Sequence, residues 1–341
     1  MHPYVNLTVG GNPVAGAFFE RLISMEITDV DGAKSDTFRA DLLDGPPVFL
    51  AMPRKGAVVV PIIGYRDTVG SERNFGRYVI DDVSGRCLPY SLSISGKAAD
   101  LKAGPQKTRV ERHWDNKTVK EIVQDVAADA GLEARVSERI GAFVYPWIGQ
   151  LDEGPLHFVE RLARRHGGLF SVKDGKLILA EKGQGTAVSG ADLGTLVITP
   201  SMIVKNSFSF QDASRGAYAK VVAYWQNDEK ARRVEVEVDA DASASGTYRI
   251  VEPFGSLEEA EEAATAKAAS LKAGDSQVSF DMVGDTALRA GRKFILKDVR
   301  PGLDGRVYAF SSVTHRFGKD GYTCPVEAKI GSGSTVSSDG G

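Results

Sequence analysis

Cysteine is scarce in this sequence. Of its 341 residues, only Cys87 and Cys324 are cysteines. Two cysteines this far apart cannot form a C-x-x-C metal or redox motif, and they cannot supply the several cross-links of a disulfide-stabilised scaffold. The sequence excludes those two classes and favours a reducing compartment.

Long apolar runs and an excess of positive charge are missing as well. The longest apolar stretch, residues 57–63, is far shorter than the ~20 residues that a helix needs to cross a bilayer, and residues 1–6 lack the basic and apolar regions of a secretory signal. Lys and Arg number 42 against 45 Asp and Glu, which gives a net charge of −3. We therefore expect no membrane insertion by the chain itself and no specific nucleic-acid binding.

Glycine and aromatic residues are abundant, and short alternating runs follow one another through residues 4–96. Phe38, Ala40 and Leu42, for example, fall on one face of a strand, and Arg39 and Asp41 fall on the other. About six strands without a helical pattern predict a small barrel or sandwich, and with the repeat described below we assign residues 1–100 to a first β-barrel.

The pattern changes after a polar link at residues 102–108. Apolar residues recur at helical spacing from residue 115 to residue 130, with Asp115 or Asn116 as the N-cap and Gly131 as the stop. A second helix opens at Pro155, and Asp174-Gly175 marks a two-residue hairpin. These features predict an α+β domain over residues 101–194.

Strand patterns return at residues 207–210 and 218–225 and again from residue 277 to residue 330, with a polar turn at Asn227-Asp228. Between them, Ser256 and Glu259 form a capping box for a third helix, which Gly274 ends. We predict a second barrel from residues 195–226 plus 276–330, with a helical insertion at 227–275. Residues 331–341 are rich in Gly and Ser and are expected to be a flexible tail.

The two predicted barrels look like copies of each other. Ile27-x-Asp29 followed by Phe38-x-Ala40-x-Leu42 resembles Phe210-x-Asp212 followed by Tyr218-x-Lys220-x-Val222, with Phe210 lying 183 residues after Ile27. Tyr78 matches Tyr308 at an offset of 230. An insertion of 47 residues at about Asn227–Gly274 in the second copy explains the growth of the offset. The overall prediction is a β-rich α+β fold with two related barrels.

No pattern of catalytic or ligand residues stands out. The five histidines, which are His2, His113, His157, His166 and His315, include no H-x-x-x-H pair. His157 and His166 lie on or beside the second helix, where packing or solvation explains them, and Gly183-Gln184-Gly185 follows a strand without opening a helix. We assign no catalytic residue, no cofactor and no metal site.

Charged groups are explained in the same way. The neighbouring carboxylates Asp81-Asp82 and Asp152-Glu153 should diverge into solvent rather than form an acid–base pair. The arginines 161, 164 and 165 are interpreted as a solvated helix face, and Glu258–Glu262 as a favourable charge at a helix N-terminus.

The chain resembles the phage late control gene D family, the central baseplate hub of contractile tails. The resemblance spans nearly the whole length, and the segments that carry it are Ser35-Asp36-Thr37-Phe38-Arg39-Ala40-Asp41-Leu42, His113-Trp114 with Thr118 and Ile122, the run 150–167 with Phe158 and Arg161-Leu162-Ala163, Asp174-Gly175-Lys176-Leu177, Arg300-Pro301-Gly302-Leu303, Val313-Thr314-His315, and Gly321-Tyr322-Thr323 with Val326-Glu327. The family is similar in fold to the hub of T-even phages and to the base of the type VI secretion spike.

That resemblance implies a structural protein of the virion tail baseplate or of a contractile injection particle, assembled in the bacterial cytoplasm. It implies a homotrimer in which two similar barrels per chain form a pseudo-six-fold ring, adapting a hexameric tail tube to a trimeric spike. The implied partners are the spike protein and the tube or tube-initiator proteins, with the tape measure protein and the baseplate wedge as further candidates. The resemblance carries no catalytic residue.

Two alternatives remain open from the residues alone. A tail-associated peptidoglycan hydrolase would need a catalytic constellation that the sequence does not display. A carbohydrate-binding β-module would expose a row of aromatics, for which Tyr145, Trp147 and Trp225 are candidates, so their burial discriminates this alternative.

Overall fold

The computed structural model of the chain describes residues 2–14, 16–31, 35–98, 109–173, 175–181, 194–212, 218–227, 232–242, 244–273 and 276–330. Several sequence predictions lie outside these ranges: the link at 102–108, Asp174 of the hairpin, Gly183-Gln184-Gly185, Asp228 of the turn, the helix stop at Gly274 and the tail at 331–341. Within them, no helix is both long and apolar enough to cross a membrane.

The N-terminal part is almost entirely antiparallel sheet, as the alternation predicts. Its elements are β1 (Pro3–Val9), β2 (Asn12–Pro13), α1 (Gly16–Arg21), β3 (Leu22–Val30), β4 (Thr37–Leu43), β5 (Val58–Tyr65), β6 (Arg73–Asn74), β7 (Tyr78–Arg86) and β8 (Ser91–Ala98). Six of these strands are hydrogen-bonded in the order β3-β4-β8-β7-β5-β1, which we call the N-terminal module.

The middle part is an α+β unit with its own core. Its elements are β9 (Val110–Thr118), α2 (Val119–Ala130), β10 (Glu133–Val136), α3 (Glu138–Gly141), β11 (Val144–Glu153), α4 (Pro155–Arg165), β12 (Gly168–Lys173) and β13 (Lys176–Glu181). Helix α2 begins later than predicted, because Asp115 and Asn116 belong to β9, and Thr118 forms the capping box with Glu121 instead. Pro155 opens α4 as predicted.

The C-terminal part contains two separate sheets. Its elements are β14 (Leu196–Ile198), a 3₁₀ turn (Pro200–Met202), β15 (Ser209–Asp212), β16 (Lys220–Asn227), β17 (Arg232–Asp239), β18 (Thr247–Phe254), α5 (Leu257–Ala273), β19 (Ser276–Val283), β20 (Lys293–Leu296), β21 (Val307–Gly318) and β22 (Gly321–Ile330). The order β15-β19-β22-β21-β20-β14 forms the C-terminal module.

The placement of residues 220–226 in the second barrel is wrong. Strand β16 pairs with β17 and β18 in a separate three-stranded sheet. Val221 and Ala223 of this strand are fully buried in one cluster with Ala260 and Ala264 of α5. Since an apolar strand packs equally well on a helix or on a second sheet, alternation alone did not reveal its partner. The insertion therefore begins after β15.

The same six-strand order occurs in both modules, and the pairings of the first five strands define equivalent positions. The outermost pair differs, because β1 runs antiparallel to β5 and β14 runs parallel to β20. One row of cross-strand pairs in the N-terminal module is Ile27–Phe38–Gly96–Ile80, and the corresponding row in the C-terminal module is Phe210–Val278–Ala328–Phe310. Each row ends at the residue before a β-bulge, so the match of Ile27 with Phe210 is correct. The match of Phe38 with Tyr218 is wrong, because Val278 of β19 occupies that position.

The second match, Tyr78 with Tyr308, is also correct in the pairing pattern. Tyr78 pairs with Val59 of β5, and Tyr308 pairs with Phe294 of β20. Each strand then continues as a hairpin with the last strand of its module, β8 or β22.

One continuous sheet and one core join the two modules. The sheet passes from one to the other through an antiparallel pair of β3 with β21. Buried residues of both modules form a single hydrophobic cluster, in which the ring of Phe294 stacks on Tyr308 and Phe310 at 5.4 and 4.5 Å between centroids. The pairing of the described strands runs as an open path from β15 to β2, so closure into two barrels stays a prediction.

Candidate assembly interface

The junction between the modules consists of residues 24–30 of β3 and 312–318 of β21. On the face toward the core, Ile27 lies opposite His315, and both are fully buried. On the opposite face, the hydroxyls of Thr28 and Thr314 lie 3.1 Å apart. The two strands therefore present paired side chains on both faces of the sheet at this point.

A β-bulge allows one edge of β21 to pair with two strands, first β20 and then β3. Up to Phe310 the strand bonds toward β20, with Gly291 N–H donating to the Phe310 carbonyl at 2.8 Å and Phe310 N–H donating to Arg292 at 3.1 Å. The register with β22 shifts between Phe310 and Ser312, and from Ser312 onward the free edge pairs with β3. The extra residue bends the strand away from one partner and toward the next.

A buried polar cluster lies under the junction, and His315 is at its centre. The Tyr322 hydroxyl donates to His315 Nδ1 at 2.6 Å, and Nε2–H donates to the Leu288 carbonyl at 3.2 Å. Burial, and after it the positive charge of Arg73, lower the pKa of His315 to about 3. The imidazole is therefore neutral at physiological pH and acts as a fixed donor and acceptor.

Arg73 connects this cluster to both modules. Its guanidinium donates to the carbonyls of Thr286 and Leu288 in the C-terminal module and to the Asp29 carboxylate in the N-terminal one. Asp29 is 5% exposed. A different placement of the modules would leave a buried charge without its partner, which is strongly destabilising. The contact between Arg73 and Asp29 therefore favours one relative placement of the modules.

Cys324 and His315 form a pair that the sequence did not suggest, with Sγ 3.5 Å from Nδ1. The pair lacks the electrostatics of a catalytic dyad. Burial raises the pKa of the Cys324 thiol to about 11 and lowers that of the imidazole, so the thiolate and imidazolium forms are both disfavoured. Both side chains are fully buried, and the pair contributes to the packing beneath the junction.

The interpretation of the arginine run as a solvated face is wrong for two of its members. Arg165 binds Glu259 of α5 at 2.7 Å, and Glu259 is only 4% exposed. Arg161 bonds to the Glu153 carboxylate and donates to the Gly149 carbonyl at 2.8 Å. These bonds fix α4 to β11 on one side and to α5 on the other.

His166 strengthens the contact between α4 and α5. Its Nδ1 lies 2.6 Å from Glu262, and its Nε2 lies 2.8 Å from the Tyr145 hydroxyl. His166 lowers the pKa of the Glu262 carboxyl through this hydrogen bond. His166 is packed, which is one of the two explanations that the sequence offered for it, whereas a favourable charge at a helix N-terminus does not suffice to explain Glu259 and Glu262. The only hint in the sequence was that charges of opposite sign lie on two helices that each carry an apolar stripe, and this hint does not show that these two helices are partners.

The remaining candidates do not converge on a site. Asp81 and Asp82 are exposed on β7, and Asp152 pairs with Arg109 at the surface. The prediction that Glu153 points into solvent is wrong, because this residue is half-buried and bonded to Arg161. No group of three or more His, Cys, Asp or Glu that could hold a metal occurs among the residues that the structure describes.

The aromatics of the carbohydrate-binding alternative differ in exposure. Tyr145 is 2% exposed, and Trp225 packs against the core of the insertion. Trp147, at 55% exposed, lies beside the ring of His113. These three do not form one exposed row.

The whole arrangement can now be compared with known proteins. Residues 19–321 match the family model described as phage tail baseplate hub (GPD). The chain belongs to this baseplate hub family. The resemblance predicted from the sequence is confirmed, and so is the hub role at the level of the family.

Two curated relatives of the family carry the description "probable baseplate hub protein". The chain is 33% identical to that of Escherichia phage P2 over 65% of its own length and 56% of the relative's, so it spans little more than half of that protein. It is 25% identical to that of Escherichia phage 186 over 96% of the chain and 93% of the relative.

Solved structures of tail proteins share the fold of this hub-family chain. The 43 kDa tail protein of prophage MuSo2 from Shewanella oneidensis matches with a TM-score of 0.73 at 15% identity, covering 96% of this chain and 98% of that one. The tail protein from Neisseria meningitidis MC58 matches with a TM-score of 0.69 at 15% identity, covering 96% and 97%.

Proposed function

We propose that three copies of this chain form a ring that adapts a six-fold tail tube to a three-fold spike at the tail baseplate. The observation that carries the proposal is the repeated six-strand order. Three chains with two equivalent modules each offer six similar positions to a tube, while the differences between the modules retain three-fold symmetry toward the spike.

The modules act in this proposal as two tube-like barrels that complete their shape in the ring. Their shared core and the Arg73–Asp29 contact support a rigid placement of one module on the other, which a ring of fixed diameter requires. The α+β unit and the insertion, joined by Arg165 and Glu259, form a second body at the periphery.

The partners in this proposal are the trimeric spike protein at one end and tube or tube-initiator proteins at the other. Assembly takes place in the bacterial cytoplasm before the tail is complete, in agreement with the sparse cysteine usage. The role is structural, without hydrolysis of peptidoglycan.

Light scattering of the purified full chain, alone and mixed with the spike protein encoded alongside it, tests the proposal. We expect the chain to have the mass of a trimer when it is mixed with the spike protein, whether or not it is already a trimer alone. A monomer in both conditions, together with the lack of a three-fold ring in assembled particles, would contradict the trimer. Peptidoglycan clearing by the pure protein, lost on a single Asp or Glu substitution, would contradict the structural role.

A further inference from the structure

The two modules differ in how one equivalent strand ends. In the C-terminal module, β21 pairs with β3 after its bulge. In the N-terminal module, β7 occupies the same place, yet residues 82–86 pair with β8 on one edge, and no described strand lies along the other. Strand β15, the counterpart of β3, pairs with β19 on one edge and likewise has no second neighbour in the described ranges.

The hydrogen bonds around the two bulges establish the equivalence residue by residue. In the N-terminal module, Gly56 N–H donates to the Ile80 carbonyl at 2.8 Å, and Ile80 N–H donates to the Ala57 carbonyl at 2.9 Å. In the C-terminal module, Phe310 forms the same two bonds, accepting from Gly291 N–H and donating to the Arg292 carbonyl. The register of β7 with β8 then shifts between Ile80 and Asp82, as that of β21 shifts between Phe310 and Ser312. The backbone edge that begins at residue 82 therefore follows a β-bulge at the same position as the edge that begins at residue 312, which pairs with β3.

We infer that residues 82–86 of β7 pair antiparallel with β15 of a second copy of this chain. The internal junction sets the register: Val83 lies opposite Asp212, Ser84 opposite Gln211, Gly85 opposite Phe210 and Arg86 opposite Ser209. The inference rests on the proposed trimer and names the strands that join its copies. Each chain then contributes one internal and one inter-copy junction, and three chains close a ring of six modules.

The side chains at the two edges fit this pairing. Phe210 lies opposite the buried Val278 and shares its face, yet it is 44% exposed in the single chain. Val83 lies opposite Ile94 and is half-buried. In the ring, Phe210 meets Gly85, which has no side chain and leaves room for the ring. The pairing therefore covers the part of Phe210 that the single chain leaves exposed. It also places Asp212 opposite Val83, at the position that Asp29 holds in the internal junction.

The opposite face carries polar groups at the equivalent positions. Ser84 and Gln211 take the places of Thr314 and Thr28, whose hydroxyls touch in the internal junction. Arg86 takes the place of Arg316, which binds Glu26 at 2.7 Å, whereas the residue facing Arg86 is Ser209. The inter-copy junction thus lacks one ion pair, which makes it weaker than the internal one.

Cysteine cross-linking of the full chain tests the register. In a Cys87→Ser background, Ser84→Cys with Gln211→Cys places two thiols directly opposite each other across the junction, at a spacing compatible with a disulfide. Ser84→Cys with Ser209→Cys is the matched control, since it shifts one thiol by two residues along the same face. All three positions are exposed, so the fold tolerates the changes.

The chains, alone and with the spike protein, are treated with a mild oxidant and separated on a non-reducing gel. We expect covalent dimers and trimers from the in-register pair, their loss on reduction, and little cross-linking from the shifted pair. A trimer by light scattering with equal or no cross-linking of the two pairs would overturn the strand pairing and leave the proposed function standing. A monomer by light scattering in both conditions would overturn both.

Discussion

Mild acid should weaken the junction between the modules through His315. This side chain is fully buried, receives a hydrogen bond from Tyr322 and donates one to Leu288. Protonation would place a second donor against the Tyr322 hydroxyl and a positive charge beside Arg73. The folded chain therefore resists taking up the proton, whereas the unfolded chain accepts it.

The size of the effect follows from the two pKa values. The pKa of His315 is lowered from its usual 6.5 to about 3 in the folded chain. Between these values the unfolded state binds one proton more, so the free energy of unfolding falls as the pH is lowered through 6.5 and levels off near pH 3. At pH 5 the loss from this group is about 2 kcal/mol relative to pH 7.5.

Urea unfolding followed by circular dichroism at several pH values measures this slope. His315→Gln keeps a donor and an acceptor but cannot titrate, so it should lower stability at pH 7.5 and flatten the dependence between pH 7.5 and pH 5. His157→Gln is the control, because it makes the same substitution at an exposed position on α4, away from the junction. A slope that is equal in the wild type and in His315→Gln would refute the reasoning.

Three further substitutions test the packing. Phe294→Ala removes a fully buried ring between two aromatic neighbours and should cost about 3–5 kcal/mol in urea unfolding, and an effect below ~1 kcal/mol would contradict its place in the core. Gly96→Ala would bring a Cβ to 2.5 Å from the carbonyl oxygen of Val79, so it should lower the melting temperature, and an unchanged melting temperature would argue against this pairing. Glu259→Gln should speed hydrogen exchange in α5 and cost about 1–3 kcal/mol, whereas the exposed Glu258→Gln should be nearly neutral.

Local patterns in the sequence were sufficient for much of the fold. Strands of the N-terminal module and the start of α4 at Pro155 follow from alternation and from the conformational limits of proline. The start of α2 was misplaced, since Asp115, Asn116 and Thr118 are all good capping residues and only the strand pairing of β9 with β11 selects the last.

Long-range partners were harder to predict. The strand β16 carries the same alternation as a barrel strand, and its membership in the insertion depends on the small residues of α5, which let helix and sheet approach closely. The ion pair of Arg165 with Glu259 joins residues 94 positions apart, and neither local charge pattern identifies the other as its partner. The repeat was detected at Ile27 and Tyr78, where bulges and pairing constrain the backbone, and was misaligned at Phe38, where the insertion intervenes.

The difference between the internal and the inter-copy junction has a physical reason under the proposed pairing. At the internal junction, His315 is desolvated once, during folding, and its hydrogen bonds to Tyr322 and Leu288 compensate for the lost water. At the inter-copy junction, any group is exposed before assembly and must lose its water at the moment of association. Gly85 in the place of His315 removes that cost and leaves space for Phe210. The pairing between copies can then form through backbone hydrogen bonds and burial of apolar surface. The buried imidazole occurs only at the internal junction, where both strands belong to the same chain.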